Sequence, residues 1–236
     1  MQTSVRYFGP PGPCGYLPDQ TWRLEYEFVH RLTAEEYQQR LDEGWRRFGH
    51  SLFRNHCPHC HACQSLRVLV NEFRPNRSQR RCAKANRGLT LCKICLPSIS
   101  REKLLLYHRF HDFQTRHKGW PEVEDRGYFA YVASFVENPL PTEEWQYYRE
   151  GQLVGVGYVD VVPQGLSAIY FFYDPDYRRY SLGTWNILSL IAEAQQRGMP
   201  YVYLGYYVAG CRSLEYKAHF RPCEIRRPSG YWERLD

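Results

Sequence analysis

The apolar positions of this 236-residue chain change rhythm near its middle, and the change suggests two parts. Residues 1–18 are rich in Pro and Gly, show no period and read as irregular chain. Residues 24–29 alternate and predict a short strand. Thr33-Ala34-Glu35-Glu36 has the form of a capping box, with Thr33 as N-cap and Glu36 reaching back. Tyr37, Leu41 and Trp45 follow at helical spacing, and Gly44 marks the end. Residues 65–70 predict a second strand. Ser78 is placed to cap a short helix that stops at Gly88, and on it Arg80, Lys84 and Arg87 share one face. Residues 104–117 predict an amphipathic helix with Leu104, Tyr107, His108 and His111 on one side, and residues 125–137 another. Pro139-Leu140-Pro141 reads as a break.

Beyond it the texture is that of strands. Residues 144–149 and 153–162, around a Glu150-Gly151 turn, predict a hairpin. Gln164-Gly165 turns into a third strand over 166–173. Ser181 is placed to cap a helix reaching about residue 197, closed by Gly198, and 201–207 reads as a buried strand. Strand–strand–strand–helix–strand is an α+β order. The expected organisation is a small N-terminal metal-binding domain, cysteine-rich and basic, over residues 1–100, and a second domain over 101–236.

Composition narrows the class. A hydrophobic share of 43% supports a real core, and no apolar run approaches the roughly 20 residues that span a bilayer. The opening residues Met1 to Arg6 lead into Pro/Gly turns without an apolar h-region. Nine cysteines is an odd count, which suits a reducing compartment and a metal better than a disulfide frame. A soluble cytoplasmic protein is expected. The formal net charge of +6 is concentrated: between Glu72 and Glu102 no acidic residue occurs, while Arg74, Arg77, Arg80, Arg81, Lys84, Arg87, Lys93 and Arg101 do. Such a block is the footprint of a polyanion partner.

Two constellations carry candidate chemistry. Cys57-Pro58-His59-Cys60-His61-Ala62-Cys63 places three thiols at C-x-x-C-x-x-C spacing, with Cys14 far upstream. One turn of backbone can aim two such sulfurs at one ion, so zinc or an iron–sulfur cluster is expected. Cys92 and Cys95 form a second C-x-x-C with Cys82 nearby, read as no part of that site. The other constellation is the strand ending at Tyr173, followed by Arg178, Arg179, Ser181 and Gly183. A helix start offers free N–H groups and a favourable dipole to phosphate. The arrangement resembles the GNAT-like acyltransferase fold, whose pyrophosphate loop Arg178-x-x-Ser181-x-Gly183 matches loosely, with Ser in place of the first Gly.

Five motifs in order then resemble the aminoacyl-tRNA–protein transferases, the arginyltransferases and their shorter bacterial aspartate/glutamate leucyltransferase relatives. They are Gly44-Trp45-Arg46-Arg47-Phe48-Gly49, Phe73-Arg74-Pro75-Asn76-Arg77-Ser78-Gln79-Arg80-Arg81, Tyr170-Phe171-Phe172-Tyr173-Asp174-Pro175, Ser181-Leu182-Gly183 and Tyr216-Lys217-Ala218-His219-Phe220-Arg221-Pro222. Length and the placing of the thiols resemble the leucyl branch. Here Leu17 follows Cys14-Gly15-Tyr16 where the eukaryotic enzymes carry a further Cys, and the Cys57–Cys63 set stands in place of a Cys-Cys-Pro. The resemblance implies transfer of an amino acid, leucine rather than arginine, from aminoacyl-tRNA to the α-amine of proteins beginning with Asp or Glu, as in an N-degron pathway. It implies Cys14 as fourth metal ligand and a tRNA grip at Arg74, Arg77, Arg80, Arg81, Lys84 and Arg87. Asp160, Asp174 and Tyr206 are candidates for proton handling. Arg212, Lys217 and Arg221 are candidates for the acidic side chain, and Arg178, Arg179, Ser181 and Gly183 for phosphate near the ester. Two other readings stand beside it: a CoA-dependent N-acetyltransferase, and a non-catalytic zinc-knuckle RNA-binding protein.

Overall fold

The computed structural model describes residues 2–122 and 126–235. In chain order its strands are β1 (Gln2–Phe8), β2 (Gly12–Pro13), β3 (Thr21–Trp22), β4 (Leu24–Arg31), β5 (Arg46–Phe48), β6 (Ser51–Asn55), β7 (Gln64–Leu69), β8 (Thr90–Cys95), β9 (Thr142–Arg149), β10 (Gln152–Val162), β11 (Gly165–Tyr173), β12 (Tyr201–Tyr207), β13 (Cys223–Arg226) and β14 (Trp232–Arg234). The helices are α1 (Ala34–Asp42), α2 (Arg77–Asn86), α3 (Arg101–Lys118), α4 (Tyr128–Tyr131), α5 (Leu182–Gln196) and α6 (Arg212–Glu215). The molecule is α+β. A small sheet runs β1-β4-β6-β5, a large one β14-β13-β7-β12-β11-β10-β9-β8, and β2 pairs with β3.

Residue 100 does not separate the two sheets. β7 lies between β12 and β13, and β8 closes the far edge of the same sheet beside β9. The β11–α5–β12 crossover supplies a parallel neighbour within a mostly antiparallel sheet. Both faces of the large sheet are covered. On one, Leu182, Ile187, Leu190 and Ile191 of α5 pack on Leu66, Val68, Trp145 and Tyr147. On the other, Leu106, Phe110, Tyr131 and Phe135 pack on Val156, Tyr158 and Phe172. Phe171 and Phe172 are consecutive in β11 and join opposite cores, as a two-residue period requires.

The local signals behave unevenly. Thr33 and Glu36 form the expected capping box, with Glu36 N donating to Thr33 Oγ1 at 3.2 Å. The basic helix begins earlier than expected. Asn76, not Ser78, is its N-cap, and Gln79 completes a second capping box, because its amide reaches the Asn76 side chain at 2.9 Å. Residues 2–8 are not irregular: they pair with β4, whose open edge they cover. The helix expected over 125–137 is a single α turn at α4 followed by a π-helical stretch over Val132–Val136; Asp125 itself lies outside the described residues. Ser181 sits at the N-cap of α5 but makes no side-chain cap bond, and its φ of 53° is left-handed.

Candidate active site

The large sheet opens between β11 and β12. These strands share a ladder only from Gly165 to Ser167 against Tyr201 to Tyr203. Beyond it each strand keeps only its other neighbour, β10 for Ala168 and Tyr170–Tyr173, and β7 for Gly205–Tyr207. Gly205 makes the divergence possible, since it adopts a φ of +81° at a register shift in β12. Arg46 sits at the closed end of this split, where the ladder stops. It comes from β5, the edge strand of the small sheet, and is only 6% exposed. Its Nη1 donates to Ser167 Oγ at 3.1 Å and its Nη2 to the Ala168 carbonyl. A Cβ on Gly205 would stand 3.3 Å from Arg46 Nε, so the missing side chain is what admits the guanidinium.

Lys217 borders the same split. It lies in the 3-10 turn after α6, and its Nζ donates to the Tyr206 carbonyl at 2.7 Å. Burial and the nearby Arg46 charge push its amine down to about 7. The Tyr206 hydroxyl donates to the Gly44 carbonyl at 3.1 Å, and burial holds its acidity well below that of an ordinary tyrosine.

The basic helix docks where α5 begins. Asn86 Nδ2 donates to the Tyr180 carbonyl at 2.8 Å, and the buried Cys82 thiol reaches the carbonyls of Tyr180 and Ser181. One surface therefore carries both groups of candidate phosphate contacts. Arg74, Arg77, Arg80, Arg81, Lys84 and Arg87 are all exposed, as are Arg178 and Arg179. Arg221 joins Arg74 at a surface depression that Arg234 and Glu72 also line.

The four N-terminal cysteines are brought together from two places. Cys14 stands on the turn between β2 and β3, where the Tyr16 N–H donates to its sulfur at 3.4 Å. Cys57, Cys60 and Cys63 lie between β6 and β7. Burial raises the Cys63 thiol to about 12, and the neighbouring Cys57, Cys14 and Cys60 push it the same way. Cys211 contributes a weaker push. Among the described residues, no group of three His, Cys, Asp or Glu is set in ligand geometry.

Comparison with known proteins decides the family. The C-terminal family model described as "Arginine-tRNA-protein transferase, C terminus" matches residues 102–227, and its N-terminal counterpart matches 12–81. A protein of Campylobacter jejuni named aspartate/glutamate leucyltransferase is 38% identical over 215 residues, covering 90% of this chain and 88% of its own. A Pseudomonas aeruginosa protein of the same name is 38% identical over 224 residues, covering 93% and 92%. The chain belongs to the arginine-tRNA-protein transferase family. Among solved structures, the C-terminal domain of a putative lysylphosphatidylglycerol synthetase from Agrobacterium fabrum aligns with a TM-score of 0.47 at 14% identity, over 73% of this chain and 58% of that one.

Within this transferase the three candidates for proton handling differ in what surrounds them. Asp160 is fully buried and both its oxygens are committed. Arg47 Nε and Nη2 donate to them at 2.8 and 2.6 Å, and Thr142 Oγ1 donates at 2.6 Å. It holds β5 against β10 and presents no exposed surface. Asp174 is 1% exposed and forms a bidentate pair with Arg109 at 2.9 Å while capping the turn at Pro175. Its Asp-Pro position as a turn former is the part its sequence announces. Tyr206 lies on β12 past the point where that strand leaves β11. Arg212 is exposed on α6. The residues that sequence reasoning left without roles are Arg46 and Arg109. For Arg46 the signal is its neighbour: adjacent arginines in a strand point to opposite faces, so wherever both faces are covered each needs partners, and both are buried here.

Proposed function

We propose that this transferase moves leucine from Leu-tRNA to the N-terminal α-amine of proteins beginning with Asp or Glu, as a step toward N-degron degradation in the cytoplasm. The observation that carries the reading is the match, over nine-tenths of the chain, to relatives named aspartate/glutamate leucyltransferase. The geometry supports it. Exposed cations on α2 and before α5 form one face beside the split, suited to the phosphates of an acceptor stem. A helix start at Ser181 and Gly183 would hold the terminal nucleotides in the manner of a GNAT-like domain. The aminoacyl ester is already activated, so catalysis is mostly positioning. An α-amine with a pKa of about 8 is partly neutral at physiological pH and attacks the ester carbonyl; the terminal ribose hydroxyl leaves. Lys217 offers a cation to the acidic first residue. Arginine as donor is the second reading, favoured by the description of the matching family models.

The thiols of Cys14, Cys57, Cys60 and Cys63 are the donor type that a structural zinc or an iron–sulfur cluster takes, although among the described residues they are not set in ligand geometry. Their fields act on one another at Cys63, and a backbone N–H already serves the Cys14 sulfur as it would a thiolate. Bound there, the group would supply a cross-link between the β2–β3 turn and the segment entering β7, and neutralise the thiolates.

Labelled Leu-tRNA and Arg-tRNA, each mixed with peptides beginning with Asp, Glu or Ala, test the reading. Leucine on the Asp and Glu peptides alone is expected. Arginine there instead would move the donor assignment, and no label from either tRNA would remove the function.

A further inference from the structure

Among the described residues four arginines are nearly fully buried, and they differ in what answers their charge. Arg47 faces Asp160, and Arg67 faces Glu224 at 2.7 Å. Arg149 caps the C-terminal turn of α2 through the Ala85 carbonyl at 3.2 Å and stacks on Tyr180. Among the described residues Arg46 donates to the Ser167 hydroxyl and the Ala168 carbonyl, neither charged. Among the described residues, no ion pair joins a carboxylate to Arg46 or to Lys217. A buried charge without a counter-ion is costly, and here two cations that repel each other border one opening. Such an arrangement persists where an anion arrives during function.

We propose that Arg46 is the receptor for the side-chain carboxylate of the acceptor's first residue, seated in the split between β11 and β12 with Lys217 as the second cation. The proposal rests on the acidic-acceptor reading above and assigns its specificity to a residue of the small sheet. The planar guanidinium presents paired donors that match a carboxylate, and an uncharged amide side chain of the same shape would leave the positive charge unanswered. Discrimination between Asp and Asn, or Glu and Gln, then comes from this one group. The split is also where the parallel strands part, so the acceptor's α-amine would enter beside the start of α5, where the charged tRNA end is placed. Lys217, Tyr206 and Tyr207, all partly buried, would line the approach.

The test measures leucine transfer from Leu-tRNA to four peptides that differ only in a first residue of Asp, Asn, Glu or Gln. It uses the full chain as wild type, Arg46→Gln and Arg46→Lys, with tRNA binding followed in parallel. In Arg46→Gln, kcat/KM for the Asp and Glu peptides is expected to fall roughly 10- to 100-fold, with little change for Asn and Gln, so that the Asp/Asn ratio collapses. Arg46→Lys keeps the charge without the fork and is expected to retain an intermediate ratio. The Kd for tRNA stays at the wild-type value in both. An unchanged Asp/Asn ratio in a folded variant overturns the proposal, and so does a change confined to tRNA affinity, which would place the anion on the donor. If Arg46→Gln does not fold, the Arg46→Lys ratio decides alone, a wild-type ratio counting against the proposal. Wild-type protein that transfers to none of the acidic peptides refutes the functional reading instead, so the two failures are distinct.

Discussion

Adjacent arginines in β5 do different work. Arg47 is a structural ion-pair member whose removal or orphaning damages the fold. Asp160→Asn keeps shape but leaves that guanidinium buried without its counter-charge. We expect a loss of about 3–5 kcal/mol, read as a lower urea midpoint at unchanged slope. A variant with wild-type stability and reduced transfer would instead return Asp160 to catalysis. Lys217 gives a pH signature. Its amine is held at about 7 in the folded protein against an ordinary 10.5, so the unfolded chain binds more protons between those limits. Folding is therefore penalised most at and below pH 7, and the penalty fades as pH rises toward 10.5. Lys217→Met removes it, so the variant's stability advantage over wild type shrinks from pH 7 to pH 9. An advantage that grows with pH would contradict the burial of this amine. The residues differ in legibility for a physical reason. Thr33 with Glu36 is a local device, complete within four positions, and the sequence displays it whole. The surroundings of Arg46 are contributed by Ser167, Ala168 and Gly205, which only the closed topology brings near.

Helix α2 carries the surface proposed to meet tRNA, and its construction turns its cations outward. Its buried side holds Gln79, Cys82 and Asn86, which bind the chain around Tyr180 and His219, leaving the cations outward. The one-sided charge pattern could be read from spacing, while the true start at Asn76 was obscured by the equally plausible Ser78. Ser78 Oγ in fact donates to the Asn76 cap at 2.8 Å. Lys84 lies on the exposed face. Lys84→Glu is expected to weaken tRNA binding and to lower the magnitude of the log Kd against log salt slope by about one. Unchanged affinity and slope would remove α2 from the tRNA surface. The α5 start was read correctly in position but not in mechanism, since Ser181 enters the helix through a left-handed conformation instead of a side-chain cap.

For the whole molecule, the decisive feature is that the polypeptide before residue 100 supplies strands to the sheet built mainly after it. Sequence texture separated the two halves because pattern reading follows chain neighbours, whereas β7 pairs with strands more than 130 residues away. The α+β class and the order of β9 to β12 were legible; the seating of β7 was not. A fragment of residues 101–236 would lack the strand between β12 and β13 and expose Leu204 and Ile225 of the core. We expect it to aggregate or stay unfolded by circular dichroism and gel filtration; a soluble, cooperatively melting fragment would contradict this dependence. The most direct measurement is a single competition. Equal amounts of Leu-tRNA and Arg-tRNA are given to the protein with an equimolar pool of peptides differing only in the first residue, and products are read by mass spectrometry. Leucine added to the Asp and Glu peptides alone is the predicted result. Products spread without regard to the first residue, or no product at all, would contradict it.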